Sequence, residues 1–178
     1  MTDDQPRIPP GGVRELGVVN WGISRLAGRV VGGPAPNIFT TLGRQRGLFR
    51  GWLHFSGKLM PGGRLPRHES ELVILHVATL RSCEYERNHH ERIGRRAGLT
   101  PAQIDHAGDA GWSGWTDRQR VLLEVATSLV TTRGVDDALW ARLAAELDEA
   151  ECIELLMLVG QYDSLATTLL TLRVQPER

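Results

Sequence analysis

Four side chains that could do chemistry lie within the segment 71–90: Glu71, Cys83, Glu86 and His90. If a helix starts at residue 83, Cys83 and His90 lie about 20° apart around its axis, with Glu86 about 60° to one side. One face of that helix would carry a thiol, a carboxylate and an imidazole. These are the groups that a proton relay to a reactive thiol would use.

Helix geometry also limits how these groups can meet. Seven residues separate Cys83 from His90 by roughly 10 Å along a helix axis, which is too far for direct contact. Because helical side chains lean toward the N-terminus, we expect His90 to lean onto Glu86. Glu71 lies twelve residues before Cys83 and could fold back beside this face on the preceding helix. The spacing predicts a relay of Glu71, His90, Glu86 and Cys83.

These residues resemble the family of carboxymuconolactone decarboxylase and the AhpD-type alkylhydroperoxidases. Redox members of that family have a glutamate, eleven residues, and then Cys-x-x-Cys-x-x-x-His. This chain matches the pattern at Glu71, Cys83 and His90, and Glu86 takes the place of the second cysteine. The run Cys-Glu-Tyr-Glu at 83–86 is similar to the family's commonest form, in which this run and a histidine replace the two-cysteine motif.

The resemblance covers about residues 37–172. It implies an all-α, AhpD-like helical bundle that forms oligomers, with residues 1–36 as an N-terminal extension and residues 37–178 as the family domain. It also implies a thiol peroxidase or a lactone decarboxylase. Without a second cysteine at position 86, a dithiol cycle is not expected.

Composition indicates one soluble domain. Lys+Arg and Asp+Glu are both 21 in 178 residues, so the net charge gives no reason to expect a nucleic acid or a membrane surface as partner. Two cysteines 69 residues apart do not form a disulfide framework, which favours the cytoplasm. The acidic, proline-rich start is unlike a signal peptide, and no run approaches the roughly 18 apolar residues of a membrane span. Twenty of the 21 basic residues are arginine, which hints at a bacterial source.

Apolar periodicity and capping residues predict an all-helical chain, because no segment alternates as a strand would. Asn37 is the expected cap of a helix whose apolar stripe runs to Leu59. Thr100 and Thr116 each begin a capping box. The last helix is apolar nearly all round, so it belongs in the core or in the interface of a homo-oligomer. The predicted helices are 13–31, 37–59, 68–81, 83–97, 117–131, 137–147 and 149–172.

Two opposing effects act on the predicted pKa of Cys83. The N-terminus of a helix favours the thiolate, whereas Glu84 and Glu86 disfavour it by charge repulsion. Starting from a pKa of about 8.5, half ionisation at pH 7 requires the pKa to fall by roughly 1.5. A helix terminus with a protonated His90 could supply that change. His89 lies 100° from His90 and is assigned to the surface or an interface.

The remaining candidates have plainer alternatives. Glu71 needs a partner in the core, either His90 or an arginine, and that pairing could be purely structural. Tyr85 and Tyr162 are candidates to line the substrate cavity, although aromatic residues at helical spacing are more often core. Cys152 is expected to be structural, and Trp112 and Trp115 to plug a cavity or an interface. A metal on Glu86 and His90, completed by Glu71, His76 or Cys83, lacks diagnostic spacing, so no metal and no cofactor is expected.

Three functions follow from these residues. The first is a peroxidase in which Cys83 attacks a hydroperoxide and an external thiol completes the cycle. The second is an acid-base decarboxylase or isomerase of a small carboxylated lactone, in which His90 and the carboxylates move protons and an arginine holds the substrate carboxylate. The third is a non-catalytic helical oligomer whose polar cluster fixes its packing.

Overall fold

The computed structural model describes residues 5–31 and 33–177. Within these ranges the chain forms nine helices and no strand, which confirms the predicted all-helical class. They are α1 (Val13–Val31), α2 (Asn37–Leu42), α3 (Arg46–Leu59), α4 (Arg67–Leu80), α5 (Glu84–Ala97), α6 (Pro101–Asp105), α7 (Asp117–Thr132), α8 (Asp137–Glu146) and α9 (Glu149–Leu172).

Contacts along the chain group the described residues into two compact units. One unit takes in Met1–Ser56 and Thr168–Arg178, as far as these residues are described, and the other takes in Gly57–Thr167. Residues 37–56 therefore group with the N-terminal part of the chain, whereas the predicted domain boundary follows residue 36. The extent of the family domain stays a prediction.

The predicted helix 37–59 is wrong in two respects. Asn37 is the first residue of α2 and not its cap; its side chain donates to the carbonyl oxygen of Gln175 at 3.0 Å. The helix also ends after Leu42, where the N–H of Gly43 donates to the carbonyl oxygen of Phe39 at 2.9 Å, and α3 starts at Arg46. The apolar stripe is continuous across this break, so periodicity alone did not reveal it.

The second unit is built around α4. All ten residues from Glu69 to Ala78 are buried, as the wide apolar face of this segment predicts. Leu72 and Leu75 lie in a core cluster whose other members come from the segments that follow α5. Trp115 belongs to that cluster and Trp112 packs against it, so both fill the core. The other members of the cluster are Leu99, Ile104, Ala107 and Leu123.

Capping residues set the helix boundaries of this unit. Thr100 and Thr116 each form both hydrogen bonds of a capping box, as predicted. Asp148 and Glu151 form the same reciprocal pair, with distances of 2.8 and 3.0 Å. Asp136 caps α8 by accepting from the N–H of Leu139 at 2.8 Å. These caps satisfy backbone donors that a helix start leaves without partners.

An arginine-carboxylate network ties α9 to the end of α4. Asp163 on α9 forms ion pairs with Arg81, which caps the C-terminus of α4, and with Arg133 at 2.7 Å. Arg81 is two residues before Cys83, and Asp163 follows Tyr162. The network therefore holds the segment before the thiol close to one side of α9.

Among the described helices, only α9 has the length and composition to cross a membrane. It has 24 residues, and its most apolar 18-residue window has a mean hydropathy of 1.3 with 39% of that window buried. Core helices share these properties. One side of α9 is nevertheless exposed, including Ile153 at 64% and Met157 at 48%, so the helix is not buried all round.

Replacement of Gly98 by alanine should destabilise the second unit. Gly98 ends α5 with φ 103°, and a Cβ added there would meet no atom within 4 Å. The cost therefore comes from the left-handed backbone alone, about 1 kcal/mol, and denaturant titration of Gly98→Ala measures it. Gly51→Ala in α3, where a Cβ also meets nothing, is the matched control and should gain about 0.5–1 kcal/mol. Equal stability of Gly98→Ala and wild type would contradict this account.

Candidate functional site

Cys83 lies at a tight junction between α4 and α5. Ser82 adopts a left-handed conformation with φ 53°, and its N–H donates to the carbonyl oxygen of Thr79 at 3.0 Å. The N–H of Cys83 then donates to the carbonyl oxygen of Ala78 at 2.8 Å. This is a Schellman motif, and its last residue is also the N-cap of α5. Backbone hydrogen bonds thus fix the position of the sulfur.

The thiol of Cys83 is buried, with 1% of the residue exposed. Burial raises its pKa to about 12, and the charge of Glu86 acts in the same direction; the backbone N–H groups of Glu86 and Tyr85 lower it by less. Of the two opposing effects expected for this thiol, the one that disfavours the thiolate is therefore the larger. The helix N-terminus does favour ionisation, but desolvation outweighs it.

Glu86 lies one turn after Cys83 and is 2% exposed. Burial raises the pKa of its carboxyl to about 8, although the Cys83 thiol lowers it. The thiol is close enough to act on this carboxyl, yet neither carboxyl oxygen has a hydrogen-bond partner of normal geometry among the described residues. Burial therefore favours the protonated form of both the carboxyl and the thiol at neutral pH.

Glu71 joins α4 to α5. It is completely buried, and its Oε2 accepts from Nδ1 of His90 at 2.7 Å. Its Oε1 lies 2.5 Å from Nη2 of Arg67, one turn earlier on α4. Both partners that the sequence offered for this carboxylate, His90 and an arginine, are present together. The negative charge is thereby compensated inside the core.

The structure shows no hydrogen bond between His90 and Glu86, although the sequence predicts that His90 leans onto Glu86. His90 bonds to Glu71 on the neighbouring helix, while Glu86 has no hydrogen bond to a described residue. The four predicted site residues therefore form two groups, one of Glu71 with His90 and one of Glu86 with Cys83. Within-helix spacing predicted the shared face, but the fold of α4 against α5 decides the partners.

Tyr162 on α9 lies against His90 and within electrostatic reach of Glu71 and Glu86. Its ring packs edge-on to His90, with 5.1 Å between ring centroids and an angle of 88°. Burial raises the pKa of Tyr162 well above its usual value, and the charges of Glu71 and Glu86 add to this effect. Tyr85 instead packs beside His89, at 4.7 Å between centroids. Of the two predicted substrate-lining tyrosines, the structure brings Tyr162 to the cluster, and a binding role for either stays a prediction.

The other cysteine and the other core histidine lie outside this cluster. Cys152 is buried beside a groove of about 710 Å³ between α8 and α9, and none of the four predicted catalytic residues lines that groove. Both ring nitrogens of His76 are within 2.7 Å of a partner, the carbonyl oxygen of Ala107 and the hydroxyl of Thr127. No group of three or more His, Cys, Asp or Glu side chains in the described ranges could hold a metal ion.

Arg67 is the site residue that sequence reasoning missed. Its Nη1 is buried without a hydrogen-bond partner, next to the ion pair that Nη2 makes with Glu71. The sequence spacing could have identified Arg67 as the partner of Glu71, because an arginine four residues before a glutamate lies on the same helix face. The sequence offered an arginine for Glu71 without saying which one.

Comparisons with known proteins agree with this architecture. The sequence model of the carboxymuconolactone decarboxylase family matches residues 46–127. No curated protein matches the chain in sequence. One similar structure is the alkylhydroperoxidase AhpD core of a peroxidase-related protein from Ralstonia eutropha JMP134, with a TM-score of 0.86, 20% identity, and coverage of 97% of this chain and 92% of that one.

Two further structures share the fold at lower identity. A peroxidase-related protein from Silicibacter sp. TM1040 has a TM-score of 0.82 and 16% identity over 91% of this chain and 86% of that one. The debrominase Bmp8, solved as a cysteine-to-alanine variant with 2,3,4-tribromopyrrole, has a TM-score of 0.81 and 16% identity over 96% and 91%. At these identities the likeness concerns the fold.

The family match covers the segment that holds the whole predicted motif, from the α4 glutamate to the α5 histidine. The similar structures carry the same helical fold over nearly the full chain. That the run Cys-Glu-Tyr-Glu at 83–86 is a recognised form of the family motif stays a prediction. The carboxymuconolactone decarboxylase family model thus matches residues 46–127, which include Glu71, Cys83, Glu86 and His90, and the chain has an AhpD-like fold.

Proposed function

We propose that this protein is a thiol-dependent peroxidase that reduces hydroperoxides with Cys83. The observation that carries the proposal is the buried thiol at the start of α5, close to the Glu86 carboxyl, with the hydrogen-bonded pair of Glu71 and His90 on the two helices that meet at the thiol. Reduction of a peroxide needs a sulfur nucleophile and a proton for the leaving oxygen. The cluster contains both.

The reaction has two stages. Sulfur attacks the terminal oxygen of ROOH, the O–O bond breaks, and ROH leaves, so that the sulfur is oxidised to a sulfenic acid. A first external thiol then forms a mixed disulfide and releases water, and a second thiol restores Cys83. Cys152 borders a groove that Cys83 does not line, so we assign the reduction of Cys83 to an external thiol. A reducing cytoplasm would supply it, and this location is part of the proposal.

An acid-base decarboxylase or isomerase is the second candidate, and one observation favours it. Arg67 has a buried Nη1 without a partner, which is a suitable donor for a substrate carboxylate. His90 and Glu86 would then move protons to and from carbon, and Cys83 would be dispensable. A purely structural role of the cluster in a non-catalytic oligomer is the third candidate.

A screen for the peroxidase should also include halogenated aromatic compounds. A sulfur that attacks the terminal oxygen of a peroxide can attack a carbon-bound halogen in the same manner, since both steps need a proton for the leaving group. The structurally similar Bmp8 is a debrominase. The hydroperoxide stays the first choice because its weak O–O bond needs the least assistance.

Cys83→Ala should abolish peroxide consumption in the presence of dithiothreitol. The sulfur is the group that is oxidised, so treatment with tert-butyl hydroperoxide and dimedone should label Cys83 in wild type, as mass spectrometry of the tryptic peptide will measure. Cys152→Ala is the matched control, because it removes the other buried thiol, and it should retain activity and labelling.

The same variants separate the alternatives. Loss of lactone turnover in His90→Ala, together with full turnover in Cys83→Ala, would establish the acid-base enzyme instead. If neither variant changes any turnover and both only lower the melting temperature, the cluster is structural. Labelling of Cys152 alone would exclude Cys83 as the nucleophile.

Alkylation of Cys83 should be slow at neutral pH and should accelerate with pH. Only the thiolate reacts, and a pKa of about 12 means that its fraction rises about tenfold per pH unit up to pH 11. The measurement is the iodoacetamide rate in the Cys152→Ser background between pH 7 and 11, with unfolded protein as reference. A rate that reaches a plateau below pH 8 would show a preformed thiolate and would contradict the burial effect described above.

We also propose that the protein forms a homo-oligomer through the exposed side of α9. Ile153, Met157 and Trp140 on α8 are 64%, 48% and 43% exposed, and Ile153 and Trp140 border the groove between these helices. Large apolar side chains that cluster on a surface are typical of interfaces. A second copy of the chain would bury them.

Charge on this surface should prevent the association. We expect Ile153→Lys combined with Met157→Lys to give a monomer in light scattering at micromolar concentration, with the circular dichroism of wild type. Ala145→Lys, an exposed position of α8 outside the groove, is the control and should keep the wild-type mass. An unchanged mass in the double variant would place the interface elsewhere, and a monomeric wild type would remove the proposal.

A further inference from the structure

Glu86 is a buried carboxyl group that the fold leaves without a partner. The residue is 2% exposed, and neither Oε1 nor Oε2 has a hydrogen bond to a described residue. A buried carboxylate is stable only with cations or several donors around it. Because no described residue bonds to Glu86, its burial favours the uncharged acid, in which one oxygen can accept a proton and the other can donate one.

The charged and titratable groups around Glu86 are already engaged elsewhere. On α4, Arg67 is paired with Glu71 at 2.5 Å, and Glu71 accepts from His90 of α5 at 2.7 Å. On α9, Tyr162 keeps its proton, since burial and the nearby carboxyls raise its pKa. Cys83 is the group that acts on Glu86 directly. No described cation compensates a charge on Glu86, so the thiol and the acid form a neutral pair.

We propose that Glu86 is a bifunctional acid that takes the proton of the Cys83 thiol and gives its own proton to the leaving oxygen of a hydroperoxide. This inference rests on the proposed peroxidase function. It goes further because it assigns the proton path to one residue and removes the need for a thiolate in the resting protein. Glu71 and His90 then position the site around this pair.

The step balances without any other group. The S–H proton moves to one oxygen of Glu86 while sulfur bonds to the terminal oxygen of ROOH. The O–O bond breaks, and the proton on the other oxygen of Glu86 moves to RO, which leaves as ROH. Cys83 becomes a sulfenic acid, the peroxide is reduced by two electrons, and Glu86 ends protonated as it began. Both free oxygens of Glu86 are needed, which is what the structure provides.

A neutral relay has a pH dependence opposite in sign to that of a thiolate. The pKa of Glu86 is raised to about 8, so below that pH the acid holds its proton and the rate should be constant. Above it, the donor is lost and the rate should fall about tenfold per pH unit. A thiolate mechanism would instead give a rate that rises about tenfold per unit until the thiol is ionised.

The test is single-turnover formation of the sulfenic acid in the Cys152→Ser background, with tert-butyl hydroperoxide as probe from pH 5.5 to 9.5. Glu86→Gln should lower the rate at pH 7 by about 100-fold or more, because an amide cannot relay a proton. It should keep the melting temperature, since glutamine has the shape and neutrality of the protonated acid. Glu84→Gln, an exposed neighbour on the same helix, is the matched control and should keep both rate and profile.

Each outcome decides the inference. A constant rate up to about pH 8, a fall above it, and a slow Glu86→Gln support the relay. A rate that rises through pH 8, or a Glu86→Gln rate within threefold of the parent, overturns the relay while leaving the peroxidase intact. Absence of sulfenic acid at every pH in the parent protein overturns both proposals together. If Glu86→Gln is unstable, the pH profile of the parent alone decides.

Discussion

Burial of the Glu71 carboxylate is the constraint on which the rest of the site depends. A carboxylate with no exposed surface must be paired, and the pair here is Arg67 on one side and His90 on the other. His90 is on α5, so the pairing fixes α5 along α4 at one register. It also engages Arg67 and His90, whereas neither oxygen of Glu86 has a hydrogen-bond partner among the described residues.

The state of Cys83 follows from a competition that can be put in numbers. A helix N-terminus stabilises a negative charge by about 1 kcal/mol and at most about 2. The rise of the thiol pKa from 9.0 to about 12 corresponds to about 4 kcal/mol in the opposite direction. Desolvation therefore decides the outcome, and the N-cap position serves to orient the sulfur more than to ionise it. If Cys83 acts as the proposed nucleophile, it must lose its proton during the reaction, which makes an acceptor beside it part of the proposed chemistry.

Sequence reasoning predicted the features that depend on local rules. The capping boxes at Thr100 and Thr116, the end of α5 at Gly98 and the burial of α4 all come from short patterns with a defined backbone geometry. The pairing of Glu71 with His90 or an arginine came from the cost of burying a charge. The break after Leu42 and the choice of Glu71 over Glu86 as the partner of His90 depend on contacts between segments, which spacing within one helix does not contain. The pKa of Cys83 was missed for the same reason, since the burial of a helix terminus is a property of the whole fold.

A glutamate in place of the second cysteine changes what the site can exchange with its surroundings. A second thiol at position 86 would react with a sulfenic acid on Cys83 and form a disulfide within the chain. A reductant would then have to reduce that disulfide. A carboxyl at that position cannot be oxidised, so in the proposed peroxidase the oxidising equivalents would leave through a molecule that reaches Cys83 from outside. The carboxyl can instead carry a proton on either of its two oxygens, and it lies one helical turn from the sulfur. In the proposed chemistry, a neutral acid beside a soft nucleophile could assist any leaving group that needs a proton, such as the oxygen of a peroxide. In the proposed function the helical scaffold can therefore stay constant while the substrate is selected by side chains around the cluster; Tyr162, which packs on His90, and the Nη1 of Arg67, which has no hydrogen-bond partner, are candidates for this role.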